Sequence, residues 1–248
     1  MNRNTISKFL AAGAVALLGL AQAQQPLTPQ DDWIGALRAG GTVVLGAGAF
    51  YTTEPLELGN SVSVTGQGTG VTSLWLASDG GEYREQLALL QNPDRMTRYE
   101  FTDMDISGDT NVSTDLISIW GNAYLNLTRV SVNYSYDDYA YFDDNNIQWR
   151  GSGLLVGAGA TVLVNDSIFY GNATNGITVA GAERLVVQGS TFQDNMWAGI
   201  MTVDSPITVT GNHFQGNDTG IEVYGVEPAT IARNTFANQK SEDVFRGE

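Results

Sequence analysis

Val162-Leu-Val-Asn-Asp-Ser-Ile-Phe169, Leu185-Val-Val-Gln-Gly-Ser-Thr-Phe192, Ile207-Thr-Val-Thr-Gly-Asn-His-Phe214 and Ala229-Thr-Ile-Ala-Arg-Asn-Thr-Phe236 are four versions of one phrase. The phenylalanines fall 23, 22 and 22 residues apart. After the first three come Asn172, Asn195 and Asn217, and then the pairs Gly176-Ile177, Gly199-Ile200 and Gly220-Ile221. Within each unit, short stretches alternate apolar and polar residues, as half-buried strands do, and polar turns separate them. No sustained helical period spans a unit beyond Asp32. A unit of about 22 residues with three strands of roughly 3 to 5 residues is the size of one coil of a β-solenoid, and coils stacked ~4.8 Å apart turn each repeat position into a column.

The columns have distinct duties. Phe169, Phe192, Phe214 and Phe236 run through the core, each ring contributing on the order of 1.5 to 3 kcal/mol of burial. Two residues earlier, Ser167, Ser190, Asn212 and Asn234 line the bend between two strands, where a side chain can pass hydrogen bonds to the next coil. Upstream the repeat loosens. Tyr99 to Ile106 with Leu116 to Trp120, and Leu125 to Val132 with Gly153 to Val156, read as further coils. Gly41 to Tyr51, Pro55 to Leu58, Val62 to Gly68 and Thr72 to Leu76 read as the opening ones. Before them, Trp33, Ile34 and Leu37 follow Asp31-Asp32 at helical spacing, so residues 30–39 form a short capping helix over the first coil. The expected architecture is all-β, a single-stranded parallel β-helix of about 7 to 8 coils over residues 41–236, with 237–248 as a tail or cap.

Composition narrows the function. The 248 residues carry 27 acids against 12 Lys plus Arg, a formal charge of −15, one His and no Cys. That balance argues against nucleic acid as a partner, and the lack of Cys excludes disulfides and thiolate metal sites. With His213 as the one imidazole, a multi-histidine metal site cannot be built from this chain alone. Residues 1–23 hold Arg3 and Lys8, an apolar run from Phe9 to Leu20, and Ala21-Gln22-Ala23, the pattern of a secretory signal peptide. The run is too short to span a bilayer, so the mature chain would be residues 24–248 with no membrane span and a charge of −17. A secreted, periplasmic or cell-surface location follows. Six N-x-S/T sequons, starting at Asn111, Asn126, Asn133, Asn165, Asn172 and Asn217, read mainly as a by-product of Asn-rich turns.

The repeat, together with the opening Gly40-Gly-Thr-Val-Val-Leu-Gly-Ala-Gly-Ala-Phe-Tyr51, resembles the right-handed parallel β-helix proteins of the pectin-lyase-like superfamily and their PbH1 repeat. The likeness covers most of residues 30–239. It implies a right-handed solenoid strongly and an activity weakly, because that superfamily holds lyases, hydrolases, epimerases, tailspikes, adhesins and non-catalytic envelope proteins. In its enzymes the substrate groove lies over the strand after the Gly. Here alternation turns Ser118, Leu155, Thr178, Met201 and Glu222 outward on that strand. The column carries one carboxylate, whereas a glycosidase needs two. The polygalacturonase motifs N-T-D, D-D, G-H-G and R-I-K are absent as a set, and the carboxylates of calcium-dependent pectate lyases have no counterpart in this column.

The remaining candidate is the loop Asn133 to Ser152. Tyr134, Tyr136, Tyr139, Tyr141 and Trp149 offer faces that stack on sugar rings, and Trp120 extends them. Asp137, Asp138, Asp143 and Asp144 offer hydroxyl acceptors or oxygens for a hard cation, and Arg150 a fork for a uronate carboxylate. These aspartates, Arg150 and Glu222 are the catalytic candidates. No organic cofactor is expected, and calcium is an option although no EF-hand pattern is present. Asp103 with Asp105 and Asp109 with Asp115 read as structural carboxylates on turns, and His213 as surface or turn. The expected function is an exported β-helix that binds an extracellular or cell-wall polysaccharide, with cleavage by a lyase or hydrolase mechanism left open. The alternative is a non-catalytic structural or adhesive envelope protein, with a homo-oligomer as an option at the open last coil.

Overall fold

A computed structural model of the chain describes residues 24–77, 86–108, 115–135, 142–143, 146–147, 151–225 and 228–247. It opens with one helix, Trp33–Ala39, whose N-cap Asp32 accepts from the Gly35 N–H at 2.9 Å. Trp33 and Leu37 are buried against the first coil, and Trp33 meets Phe50 edge-on at 5.8 Å. The helix therefore covers the apolar end of the solenoid as its sequence predicts. No helix among the described residues is long and apolar enough to cross a membrane.

Each coil contributes to three faces. The front face stacks Leu56–Leu58, Gln86–Leu90, Asp115–Ile119, Leu154–Val156, Ile177–Ala180, Ala198–Val203, Thr219–Tyr224 and Val244–Gly247 in a parallel eight-stranded sheet. The back face runs from Gly41–Val44 to Ala229–Ala232, and the side face from Gly48–Thr52 to Thr235–Ala237. Back and side are one sheet because Thr97–Gly108 and Ala123–Asn133 pass through the corner unbroken. The front strand Gln86–Leu90 is not announced by alternation, since Gln86-Leu-Ala-Leu-Leu90 is nearly uniformly apolar. A short antiparallel pair, Phe142–Asp143 with Asn146–Ile147, stands apart from the solenoid sheets.

The register makes the repeat columns physical. Phe169, Phe192, Phe214 and Phe236 stack with centroids 5.1, 4.9 and 5.1 Å apart and planes within 15°. At the corner, Ser190 Oγ accepts from Ser167 N, Asn212 Oδ1 from Ser190 N and Asn234 Oδ1 from Asn212 N, at 2.8 to 3.1 Å. The corner itself needs a left-handed residue in each coil, supplied by Asp103, Arg129, Asp166, Gly189, Gly211 and Arg233. Arg129 grips Asp103 of the coil before it with two bonds of 2.6 and 2.7 Å, which holds the Asp103 carboxyl below its ordinary range. A second ladder marks the turn between side and front faces, where Asn172, Asn195 and Asn217 are buried and linked amide to amide at 2.9 Å. Sequons at Asn172 and Asn217 are thus closed to glycosylation in the folded chain.

Candidate functional site

The front face carries the expected outward column in register: Ser118, Leu155, Thr178, Met201 and Glu222 align from strand to strand, with Leu89 and Glu57 before them and Phe245 after. Outward here does not mean open. Ser118, Thr178, Met201 and Glu222 are all buried. One cause is on the turn before the strand, where Ser152 and Asn175 lean over the sheet and bond Thr178 Oγ1 at 2.7 and 2.9 Å. Asp115 Oδ1 accepts from Ser152 N at 2.8 Å, a structural role, although Asp115 opens a front strand and Asp105 lies within the strand Thr97–Gly108 instead of on turns. Asp105 likewise accepts from Gly70 N and Ser73 Oγ. Asp109 lies outside the described residues.

Among the described carboxylates of this column, Glu222 is the one whose surroundings shift it. Burial pushes its pKa up, hydrogen bonds from Thr219 and Tyr224 oppose that, and the charge of Asp218 adds to the rise. The Tyr224 hydroxyl donates to Oε2 at 3.3 Å. This is an acid held toward its neutral form, able to donate a proton. Glu57, the other carboxylate of the column, lies six strands away, about 29 Å at the spacing of adjacent strands, and cannot act with it. Because its folded pKa exceeds the unfolded one, Glu222 favours the fold most at low pH, and that contribution fades as pH rises through the folded pKa. Glu222→Gln is accordingly expected to stabilise the protein at pH 8, by on the order of 1 kcal/mol, and to do little at pH 4. Thermal unfolding at both pH values checks this, and an equal change at the two would refute it.

The aromatic loop leaves and returns at a clamped root. Ser135 Oγ donates to the Gly151 carbonyl, its N–H donates to Asn172 Oδ1 at 3.2 Å, and its carbonyl accepts from Ala173 N at 3.0 Å. Tyr134, left-handed at φ 61°, turns its ring out of the core. It sits over Gly171 and edge-on to Tyr170 at 5.5 Å, with 40% of its surface exposed. The neighbouring Tyr170 hydroxyl raises the Tyr134 pKa, so the phenol stays neutral. Tyr136, Asp137, Asp138, Tyr139, Tyr141, Asp144, Trp149 and Arg150 lie outside the described residues, and of Asp143 only the backbone strand is described. Trp120 stands at the opposite end of the front strands, its indole laid across Gly157 and 37% exposed. Trp120 and Tyr134 therefore bracket the front face and do not form one patch.

Two features escaped the sequence. A cleft of about 350 Å³ opens where front strands turn into back strands, lined by Met96, Asn122, Tyr124, Thr161 and Glu183 over the bare backbone of Gly121 and Gly159. The outer side face also carries exposed rings at Tyr51 and Trp75, on neighbouring strands. A signal for these existed, since Tyr51, Trp75 and Tyr170 each directly follow an inward residue, Phe50, Leu74 and Phe169. His213 is on this face too, bonded to Thr235 and Gln215. Among the described residues no cluster of three or more His, Asp or Glu side chains is arranged to hold a metal ion.

Residues 106–244 match the model of the family described as right handed beta helix region. Among solved structures the chain is similar to the A-module of mannuronan C-5 epimerase AlgE6 of Azotobacter vinelandii, at 16% identity over 86% of this chain and 73% of that one, with a TM-score of 0.47. It is similar as well to the AlgE4 A-module of the same organism, at 18% identity over 84% and 73%, again with a TM-score of 0.47. No curated protein matches it. With the matched stretch covering more than half of its length and the stacked parallel coils in place, the chain belongs to the right-handed β-helix family.

Proposed function

We propose that the protein is exported by its N-terminal segment and binds an extracellular or cell-wall polysaccharide beside the root of the 133–152 loop. The observation that carries this is the Tyr134 ring. A left-handed backbone, Gly171 beneath the ring and a clamped Ser135 hold it against the turn, edge-on to Tyr170 and partly exposed. Such an ordered, uncharged ring loses little entropy when a sugar ring stacks on it. Binding is favoured over hydrolysis because, among the described residues, the column of Glu222 carries no second carboxylate near it and is closed by neighbouring side chains.

Affinity electrophoresis through gels containing different polysaccharides tests the proposal. Retardation by at least one of them is expected, and Tyr134→Ala should weaken it by roughly tenfold, the value of one aromatic contact of about 1.4 kcal/mol. Retardation that Tyr134→Ala leaves unchanged would move the site away from the loop root. A second reading, proton transfer to or from a bound sugar by Glu222, is favoured by its raised pKa beside the Tyr224 hydroxyl. It requires product formation that Glu222→Gln abolishes while binding persists.

A further inference from the structure

The side face presents two outward rows, and their composition is unlike that of the chain. One row reads Tyr51, Trp75, Ser107, Asn133, Tyr170, Gln193, Gln215, Ala237, and the other Ala49, Ser73, Asp105, Ser131, Ile168, Thr191, His213, Thr235. In a protein of net charge −15 these 16 positions hold one carboxylate and no Lys or Arg. The carboxylate, Asp105, is already occupied by the Gly70 N–H at 2.7 Å and the Ser73 hydroxyl at 3.3 Å. At the adjoining corner, Arg129 is held in both its bonds by Asp103, and Arg233 stands at the corner before the last side strand. Acids crowd the turns instead, so the face is an uncharged strip on an anionic body.

Relief along the strip is as telling as its charge. Tyr51 and Trp75 stand 56% and 36% exposed on neighbouring coils, and Tyr134 with Tyr170 forms a second pair of rings. Between them Ser107 and Asn133 are sunk to 4% and 9% exposure and satisfy each other through a 2.7 Å hydrogen bond. Trp75 and Tyr170 are three coils apart, about 14 Å at the spacing of adjacent strands. Two aromatic pairs thus flank a low polar saddle, with Tyr51, Trp75 and Tyr170 on one sheet and Tyr134 just past the end of its strand.

We propose that this face binds an uncharged glycan whose chain runs along the solenoid axis, resting on the Tyr51–Trp75 platform at one end and the Tyr134–Tyr170 platform at the other. The proposal rests on the polysaccharide reading above and names its ligand class. Rings stack on the apolar faces of pyranoses, while the saddle leaves room for a sugar bridging the platforms. A polyuronate is disfavoured twice, because no cation on the strip meets its carboxylates and because the surrounding acids repel it within a screening length of about 8 Å. Two preformed aromatic contacts also act together, so the second follows at high effective concentration.

The test compares binding of the protein to a soluble β-glucan and a galactomannan with binding to alginate and polygalacturonate, at physiological salt. Neutral glycan should bind and the two polyuronates should not. Trp75→Ala and Tyr170→Ala should each weaken neutral-glycan binding roughly tenfold, and the pair by about a hundredfold or more. Trp75→Phe, which keeps a ring, should restore most of it. Both residues lie on the surface, and unchanged thermal unfolding confirms that the variants fold. Preference for a polyuronate, or neutral-glycan binding that Trp75→Ala leaves intact, overturns this inference and spares the wider reading. Absence of binding to all four glycans, even at low salt, defeats both. A dimer that Trp75→Ala dissociates, without glycan binding, would assign the strip to a second copy of the chain and also overturn it.

Discussion

Phe192→Ala is expected to destabilise the protein by about 3 to 5 kcal/mol, the range for removing a fully buried phenyl ring. The ring is sandwiched between Phe169 at 5.1 Å and Phe214 at 4.9 Å, with no exposed surface. Its cavity cannot close. The coils above and below are fixed in register by parallel pairing of Thr191 to Gln193 with both neighbours, and their glycines are already at the limit of approach. A Cβ at Gly199, for example, would come within 2.6 Å of the Phe214 ring and 2.7 Å of the Gly220 carbonyl oxygen. Phe236→Ala is the internal comparison. That ring stacks on one side only and is partly exposed, so its loss should cost about half as much. Urea unfolding of the two variants separates them, and equal losses would mean that the stack is not the centre of the core.

Such columns are what the sequence makes legible, because a solenoid repeats each contact at a fixed interval and a spacing of 22 or 23 residues can be read without knowing the fold. The Phe stack, the corner ladder of Ser167, Ser190, Asn212 and Asn234, and the register of Ser118 through Glu222 all follow from it. Alternation, however, gives direction and not exposure. It turned Thr178 away from the core correctly, but only the turn geometry brings Ser152 and Asn175 across the strand to close it in. The side-face rings are hidden from such a reading for a related reason. Tyr51, Trp75 and Tyr170 are not a repeated feature, so a search for columns passes over them although the residue before each points inward. Within the 133–152 loop, aromatic and acidic composition states what the residues can do and not where they sit. The place of Tyr134 is set by its φ of 61° and its contact with Tyr170, neither of which composition carries.

Asn195→Leu, close to isosteric and more hydrophobic, is expected to cost about 3 kcal/mol or more, against the intuition that a buried leucine stabilises. Asn195 is fully buried, so each polar group that it serves has no water to turn to. Its Oδ1 accepts from the Asn172 N–H at 3.2 Å and the Asn172 side-chain amide at 2.9 Å, and its Nδ2 donates to the Phe169 carbonyl at 3.2 Å and Asn217 Oδ1 at 2.9 Å. Leucine ends all four. The Asn172 amide keeps a longer bond to the Val132 carbonyl, and Asn217 Oδ1 keeps the Asn195 N–H, but the Asn172 backbone N–H loses its acceptor. Each buried group stranded in this way costs about 1 to 3 kcal/mol. The chain itself indicates the milder substitution. At the corner, Ser190 accepts from Ser167 N just as Asn212 accepts from Ser190 N, so a hydroxyl suffices where the backbone donor of the neighbouring coil is the essential partner. Asn195→Ser should therefore lose less than Asn195→Leu even though it leaves a gap that leucine would fill, and hydrogen exchange should quicken at Asn172 in the leucine variant alone. If leucine proved the less harmful of the two, burial and not the amide ladder would be what holds this turn of the solenoid together.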